Sequence, residues 1–222
     1  MKAKLLPLLL MLLISSILSI AQNVKFDGVI VSNLAATDIG SVVVDDLYVQ
    51  CQAFTTDGTK YDLLSASLSV EDGGENIHLW LYAALSDGKI DVAGGALVTF
   101  GAPSLVSGSV YQFTPSIPSS FTLQANTTYW LVFNAAASPN DASINFTTDM
   151  SSLGPGTIPS SNTYAESADG GSSYTYGDGL PSMFSIFFIN SFLQTTIILL
   201  LSLYRLSITI FCKHRTTIRY EI

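Results

Sequence analysis

Clusters of Gly, Asn, Asp, Ser and Pro cut the middle of the chain into short runs rich in Val, Ile, Thr, Tyr and Phe. No long stretch repeats at the 3.6-residue period of a helix, so the pattern predicts strands. The runs fall at 24–31, 41–54, 61–70, 77–82, 96–100, 110–113, 121–123, 128–133, 143–147 and near 183–186. The run 61–70 alternates, with Leu64, Ala66, Leu68 and Val70 on one face and Ser65, Ser67 and Ser69 on the other. Because strand side chains point alternately to opposite faces, the even positions are the expected buried set. In 77–82, Ile77, Leu79 and Leu81 share one face and His78, Trp80 and Tyr82 the other. Large residues on both faces predict a strand covered on both sides. Asp-Gly pairs at 57–58, 72–73, 87–88, 169–170 and 178–179 supply the positive φ that tight turns require. Many short strands between such turns predict an all-β, antiparallel β-sandwich, jelly-roll-like in arrangement.

From about 136 to 181 the composition shifts to Ser, Gly, Asn, Asp and Pro, and 151–161 and 168–179 read as long loops. Two readings stand for this part. It is a linker without a core of its own, or Tyr164, Tyr174 and Tyr176 pack its loops onto the domain.

Both ends differ from the middle. Lys2 and Lys4 precede an apolar run, and Ser19, Ile20 and Ala21 follow it. A positive start, an apolar stretch too short to span a bilayer and small residues before a cut define a secretory signal peptide at 1–21, cleaved after Ala21. At the other end, 22 residues from Met183 to Tyr204 carry no charge, and after Arg205 the run continues to Cys212. A stretch of that length crosses a bilayer, with the basic end (Lys213, His214, Arg215, Arg219) inside. The expected organisation is therefore a signal peptide at 1–21, a β-sandwich surface domain at 22–186, a transmembrane segment at 187–212 and a basic cytoplasmic tail at 213–222. The span either stops near Tyr204, with Arg205 reaching the interface, or continues to Cys212 with Arg205 buried. The competing reading is that the sequence after Ile186 is an aberrant end.

Charge narrows the partners. Between residues 22 and 182 three lysines (Lys25, Lys60 and Lys89) stand against sixteen Asp and Glu, a net charge of −13. Such a field repels phosphate backbones, so nucleic acid is not an expected partner. Of the two cysteines, Cys51 lies in the acidic domain and Cys212 in the tail, so no disulfide between them is expected. With two histidines besides, they form no metal-ligand spacing.

Several segments, in order, resemble the bacterial surface proteins described as choice-of-anchor R domain proteins. They open at Val31-Ser32-Asn33-Leu34 and Gln52-Ala53-Phe54-Thr55-Thr56, then run through the 61–70 strand and Leu79-Trp80-Leu81-Tyr82. Tyr111-Gln112-Phe113-Thr114-Pro115 and the stretch from Leu123 through Asn126-Thr127-Thr128-Tyr129-Trp130-Leu131-Val132 follow. Asp169-Gly170-Gly171-Ser172-Ser173-Tyr174 and Pro181-Ser182-Met183-Phe184-Ser185-Ile186 close the series. The resemblance implies an exported β-rich module, joined to the cell surface by a C-terminal sorting segment, and carries no catalytic residue. The chain departs from the pattern in having no Pro-Glu-Pro or Leu-Pro-x-Thr-Gly signal before its tail.

Candidate chemistry is sparse. His78, between large strand residues, reads as a structural histidine. No Ser sits in a Gly-x-Ser-x-Gly elbow. Calcium is the ligand considered, through Asp45 with Asp46, Glu71 and Asp72 with Glu75, or Asp169 with Asp178, since hard oxygens suit it. Solvated turns are the plainer reading of the same residues, and no cofactor is expected. For an extracellular glycan, Trp80 and Trp130 read as core residues, and Tyr174 and Tyr176 as the better-placed aromatics. The expected function is that of a membrane-anchored surface module, not an enzyme, whose partners are the bilayer and an extracellular glycan or protein. The alternative is an extracellular hydrolase acting on glycans through an unmarked carboxylate site.

Overall fold

The computed structural model describes residues 28–137 and 139–189. The expected leader, the tail and the span from 190 onward lie outside the described residues. Within them the alternating runs form two antiparallel sheets. In the first, β1 (Val29–Ser32), β15 (Phe184–Ile189), β4 (Tyr61–Asp72), β12 (Ala142–Phe146) and β2 (Gly40–Val44) lie in that order. Three short strands complete it: β10 (Thr122–Leu123) and β8 (Val110–Phe113) pair with β4, and β7 (Ser104–Ser107) pairs with β8. The second sheet runs β14 (Thr175–Gly177), β13 (Tyr164–Ser167), β3 (Val49–Thr55), β11 (Thr128–Asn134), β5 (His78–Ala83), β6 (Val98–Phe100) and β9 (Pro115–Ile117). A 3-10 turn, Gly74–Asn76, joins β4 to β5.

The sheets stack because each turns an apolar face toward the other. Phe54, Leu79, Leu81, Leu131 and Phe133 of the second sheet meet Leu68, Val70, Phe113, Ile144, Phe184 and Ile186 of the first in one cluster. Full burial of such side chains is worth about 1.5–3 kcal/mol each. Polar side chains are closed in beside them. Gln52 on β3 is fully buried; its Nε2 donates to the Thr163 carbonyl (2.9 Å), and its Oε1 accepts from the Ser182 N–H (2.8 Å). Asn33 completes the tie, donating to the Ser182 carbonyl at 3.0 Å and accepting from the Phe184 N–H at 2.7 Å. The entry to β15 is thereby fixed to both sheets.

Four expectations need correction. Leu64 is 45% exposed, although the alternation of β4 places it with the buried residues. The β15 partners step from Ser65 (opposite Phe187) to Leu63 (opposite Phe188), so Leu64 is the extra residue of a bulge. A bulge reverses the parity of a strand. Tyr61 and Leu63 face the core before it, and Ala66, Leu68 and Val70 after it. Next, the run 41–54 is two strands. Asp45 Oδ1 accepts the N–H groups of Leu47 (2.8 Å) and Tyr48 (2.7 Å), and this turn carries the chain from β2 in one sheet to β3 in the other. The segment 168–179 is no plain loop, since it contains β14, the edge of the second sheet. Finally, β15 runs to Ile189, so the expected boundary at 186 falls inside a strand. Phe187, Phe188 and Ile189, expected to open the span, pair instead with β4, and the Phe188 ring lies 4.4 Å from that of Tyr61.

The serine face of β4 is also enclosed. Ser67 lies in register between Ser185 and Gln112, Gln112 Nε2 donates to Ser65 Oγ (3.0 Å), and Asn145 Nδ2 donates to Ser69 Oγ (3.0 Å). Small polar side chains that bond to one another sit close without unsatisfied groups.

The bulge makes a direct prediction. Leu68→Ala lowers unfolding free energy by about 2–5 kcal/mol, whereas Leu64→Ala changes it by less than about 0.5 kcal/mol. Urea denaturation of the two variants measures this, and equal losses would place Leu64 in the core.

Candidate functional site

Alternation along β3, β11 and β5 also sends a set of large side chains away from the core. Cys51, Ala53, Trp130 and Val132 form a second cluster on the outer face of the second sheet, with Ile90 and the rings of Trp80, Tyr82, Tyr174 and Tyr176 against it. Two chain segments roof it. In the turn after β5, Asp87 Oδ1 accepts the Lys89 N–H (3.1 Å) while Gly88, at φ +83°, points its carbonyl inward. Trp130 Nε1 donates to that carbonyl at 3.0 Å. The hairpin of β13 and β14 supplies Tyr176, whose hydroxyl accepts the Ile90 N–H at 3.1 Å and whose ring meets Trp130 edge-on at 5.7 Å. Burial raises the pKa of the Tyr82, Tyr174 and Tyr176 hydroxyls and of the Cys51 thiol. All four groups are therefore neutral at physiological pH.

This geometry reassigns the aromatics. Tyr174 and Tyr176 hold the loop to the sheet, as one of the two readings of 136–181 has it. Trp130 is fully buried, but in this outer cluster and not between the sheets. Trp80 is half-buried and packs at the margin of this outer cluster, not between the sheets.

The roof stops at β5. Val132, Trp80, Thr99 and Ile117 lie side by side across β11, β5, β6 and β9, and exposure along this row rises from 4% at Val132 to 71% at Ile117. The register of β6 with β5 ends at Thr99, and Phe100 turns to pair with Pro115 on β9. The parting strands leave a cleft of about 300 Å³, floored by Ile77, Leu79 and Phe100 and rimmed by Glu75, His78, Trp80 and Thr99. His78 is exposed, its ring 5.9 Å from that of Trp80 and steeply tilted to it. The Tyr111 hydroxyl donates to Glu75 Oε2 at 3.4 Å. Desolvation, and then the Glu75 charge, push the Tyr111 pKa up and keep it a donor. The cleft thus joins an indole to a carboxylate, an imidazole and the Thr99 hydroxyl, with the Tyr111 hydroxyl bonded to the carboxylate from outside.

The expected calcium ligands are spread over separate turns. Asp45 holds the turn between β2 and β3, and Asp72 Oδ1 accepts the Gly73 N–H (2.9 Å) at a glycine whose Cβ would run into the Asp141 carbonyl. Glu75 lies in the cleft. Asp46 contributes backbone beside Gly170. Asp169 bonds Ser167 and Ser173 hydroxyls (both 2.6 Å) and the Ser173 N–H (2.9 Å), while Asp178 accepts the Asn162 N–H (2.7 Å). Among the described residues no three His, Cys, Asp or Glu side chains gather into a metal-sized cluster.

No family model matches the chain. No curated protein matches it either. Solved structures similar to it include the cysteine protease and lectin-like domains of Cwp84, a surface layer associated protein of Clostridium difficile, at a TM-score of 0.36 and 12% identity over 68% of this chain. The chain spans 37% of that one. A family 3a carbohydrate binding module from the cipA scaffolding of Clostridium thermocellum gives a TM-score of 0.19 and 10% identity, covering 62% of this chain and 81% of that one. Likenesses this slight say nothing of function.

The rim of the cleft was partly legible, because the period of 77–82 puts His78, Trp80 and Tyr82 on one face. What no pattern reveals is where β6 leaves β5 and where the roof ends.

Asp169 supplies the pH prediction. Its three hydrogen bonds, the Ser167 hydroxyl first, lower its pKa to about 2. A folded value below the unfolded one, about 3.9, means that its contribution to stability is full above about pH 4 and is lost as the pH falls toward about 2. Near-UV circular dichroism of the hairpin tyrosines, followed from neutral pH downward, should show a change in that window. The change is absent in Asp169→Asn.

Proposed function

We propose that this chain is an exported surface module, akin to the choice-of-anchor R proteins it resembles, whose jelly-roll-like sandwich stands outside the cell. In this reading the leader is removed after Ala21, the hydrophobic segment after β15 anchors the chain, and the acidic domain binds a glycan or protein partner without catalysis. The observation that carries the non-catalytic part is the use made of the carboxylates. Asp38, Asp45, Asp57, Asp87, Asp91 and Asp149 each accept a backbone N–H two or three residues on, and Asp169 and Asp178 hold the β13–β14 hairpin. These acids build turns of a rigid scaffold. Glycoside hydrolysis needs two carboxyl groups facing one another across the scissile bond. The carboxylate on the rim of the cleft is Glu75, with Tyr111 as its hydrogen-bond partner, an arrangement suited to holding hydroxyl groups.

Fractionation of producing cells, with protease added to intact cells, tests the reading. The expected result is a membrane-bound protein whose N-terminus is Gln22 and whose sandwich is removed by external protease. Recovery of the intact chain, leader included, in the soluble cell interior would refute it.

A further inference from the structure

We infer that the cleft between β5 and β6 is a sugar-binding site, and that it takes one uncharged pyranose ring of a glycan against the face of Trp80. The inference rests on the surface-module reading and names the ligand class and the site. Three observations lead to it.

The first is the uneven covering of the outer face. Trp130 is sealed by Gly88 and Tyr176, whereas Trp80, on the neighbouring strand and the same face, has no such roof. Its ring borders a cleft with a buried apolar floor. Exposed aromatic surface beside a concavity marks a binding site more often than scattered apolar residues do.

The second is the mixture of groups on the rim. A pyranose has an apolar face of C–H groups and a girdle of hydroxyls. An indole face next to a carboxylate acceptor (Glu75), an imidazole (His78) and a hydroxyl (Thr99) meets both within about 300 Å³, a volume at the small end for a ligand pocket. The Tyr111 hydroxyl already bonds one oxygen of Glu75, which holds the carboxylate for a second donor.

The third is charge. Glu75 on the rim, in a domain carrying three lysines against sixteen acids from residue 22 to 182, repels anions. Uronic and sialic acids are disfavoured, and a neutral ring is what the field admits.

The test uses the full chain purified in detergent and isothermal calorimetry with oligosaccharides of glucose, mannose and N-acetylglucosamine, with polygalacturonate as the anionic control. At least one neutral oligosaccharide is expected to bind, and polygalacturonate is not. Trp80→Ala should weaken binding at least about tenfold, and Glu75→Gln should weaken it several-fold. The chain has two tryptophans, of which Trp130 is fully buried, so ligand should shift the emission of Trp80 alone. Trp80→Phe keeps a ring and serves as the folding control. It should bind within a few-fold of the native chain while its emission no longer responds.

Binding that survives Trp80→Ala unchanged would overturn the site and leave the surface-module reading standing. Binding of polygalacturonate, or of none of the neutral oligosaccharides, would overturn the ligand class. The protease experiment on intact cells decides the surface reading independently.

Discussion

The central strands of the second sheet bury side chains on both faces, and the rest of the molecule is arranged around that demand. On β11, Tyr129, Leu131 and Phe133 enter the core between the sheets, while Trp130 and Val132 enter the outer cluster. A sheet left bare on the second side would expose an indole and several aliphatic side chains to water. At roughly 25 cal/mol per Å² of apolar surface, that exposure is costly. The turn at Asp87-Gly88 and the β13–β14 hairpin answer this demand by folding over the face. Their extent also decides what is left open. Because they cover β3, β11 and only part of β5, the boundary of the roof falls at Trp80, where β6 begins to part from β5.

Polar chemistry in the molecule follows the same economy. Buried polar groups are tolerated when each has a partner, and Gln52 and Asn33 meet this condition by bonding the backbone of 182–184. The carboxylates lie at the surface, and many of them hold a turn. Much of the acidity that marks the sequence thus belongs to the scaffold, and Glu75 is the acid on the rim of the cleft beside Trp80. A small amphipathic cleft on a rigid frame suits the recognition proposed above, in which preformed geometry limits the entropy lost on binding.

How far the sequence announces this can be judged from particular residues. The two-residue period makes β4, β5 and β11 legible, and the Asp-Gly pairs mark turns correctly at Gly73, Gly88, Gly170 and Gly179, which all take positive φ. Leu64 escapes because a bulge depends on the partner strand, β15, more than a hundred residues away. The break at Asp45 escapes because valines continue on both sides of it, and only the change of sheet reveals a turn. Strand β14 escapes because Thr175, Tyr176 and Gly177 are too few to show a period. Trp80 was read as core from its apolar neighbours. Its true setting depends on two quantities that local pattern does not contain, the length of β6 and the reach of the roof.

The unequal covering of the two tryptophans is the claim on which the account turns, and oxidation with N-bromosuccinimide tests it directly. Limited reagent is added to the folded full chain, and peptide mapping by mass spectrometry locates the modified indole. The account predicts that Trp80 is oxidised first and that Trp130 reacts only after unfolding. Equal reactivity of the two, or protection of Trp80 as complete as that of Trp130, would contradict it.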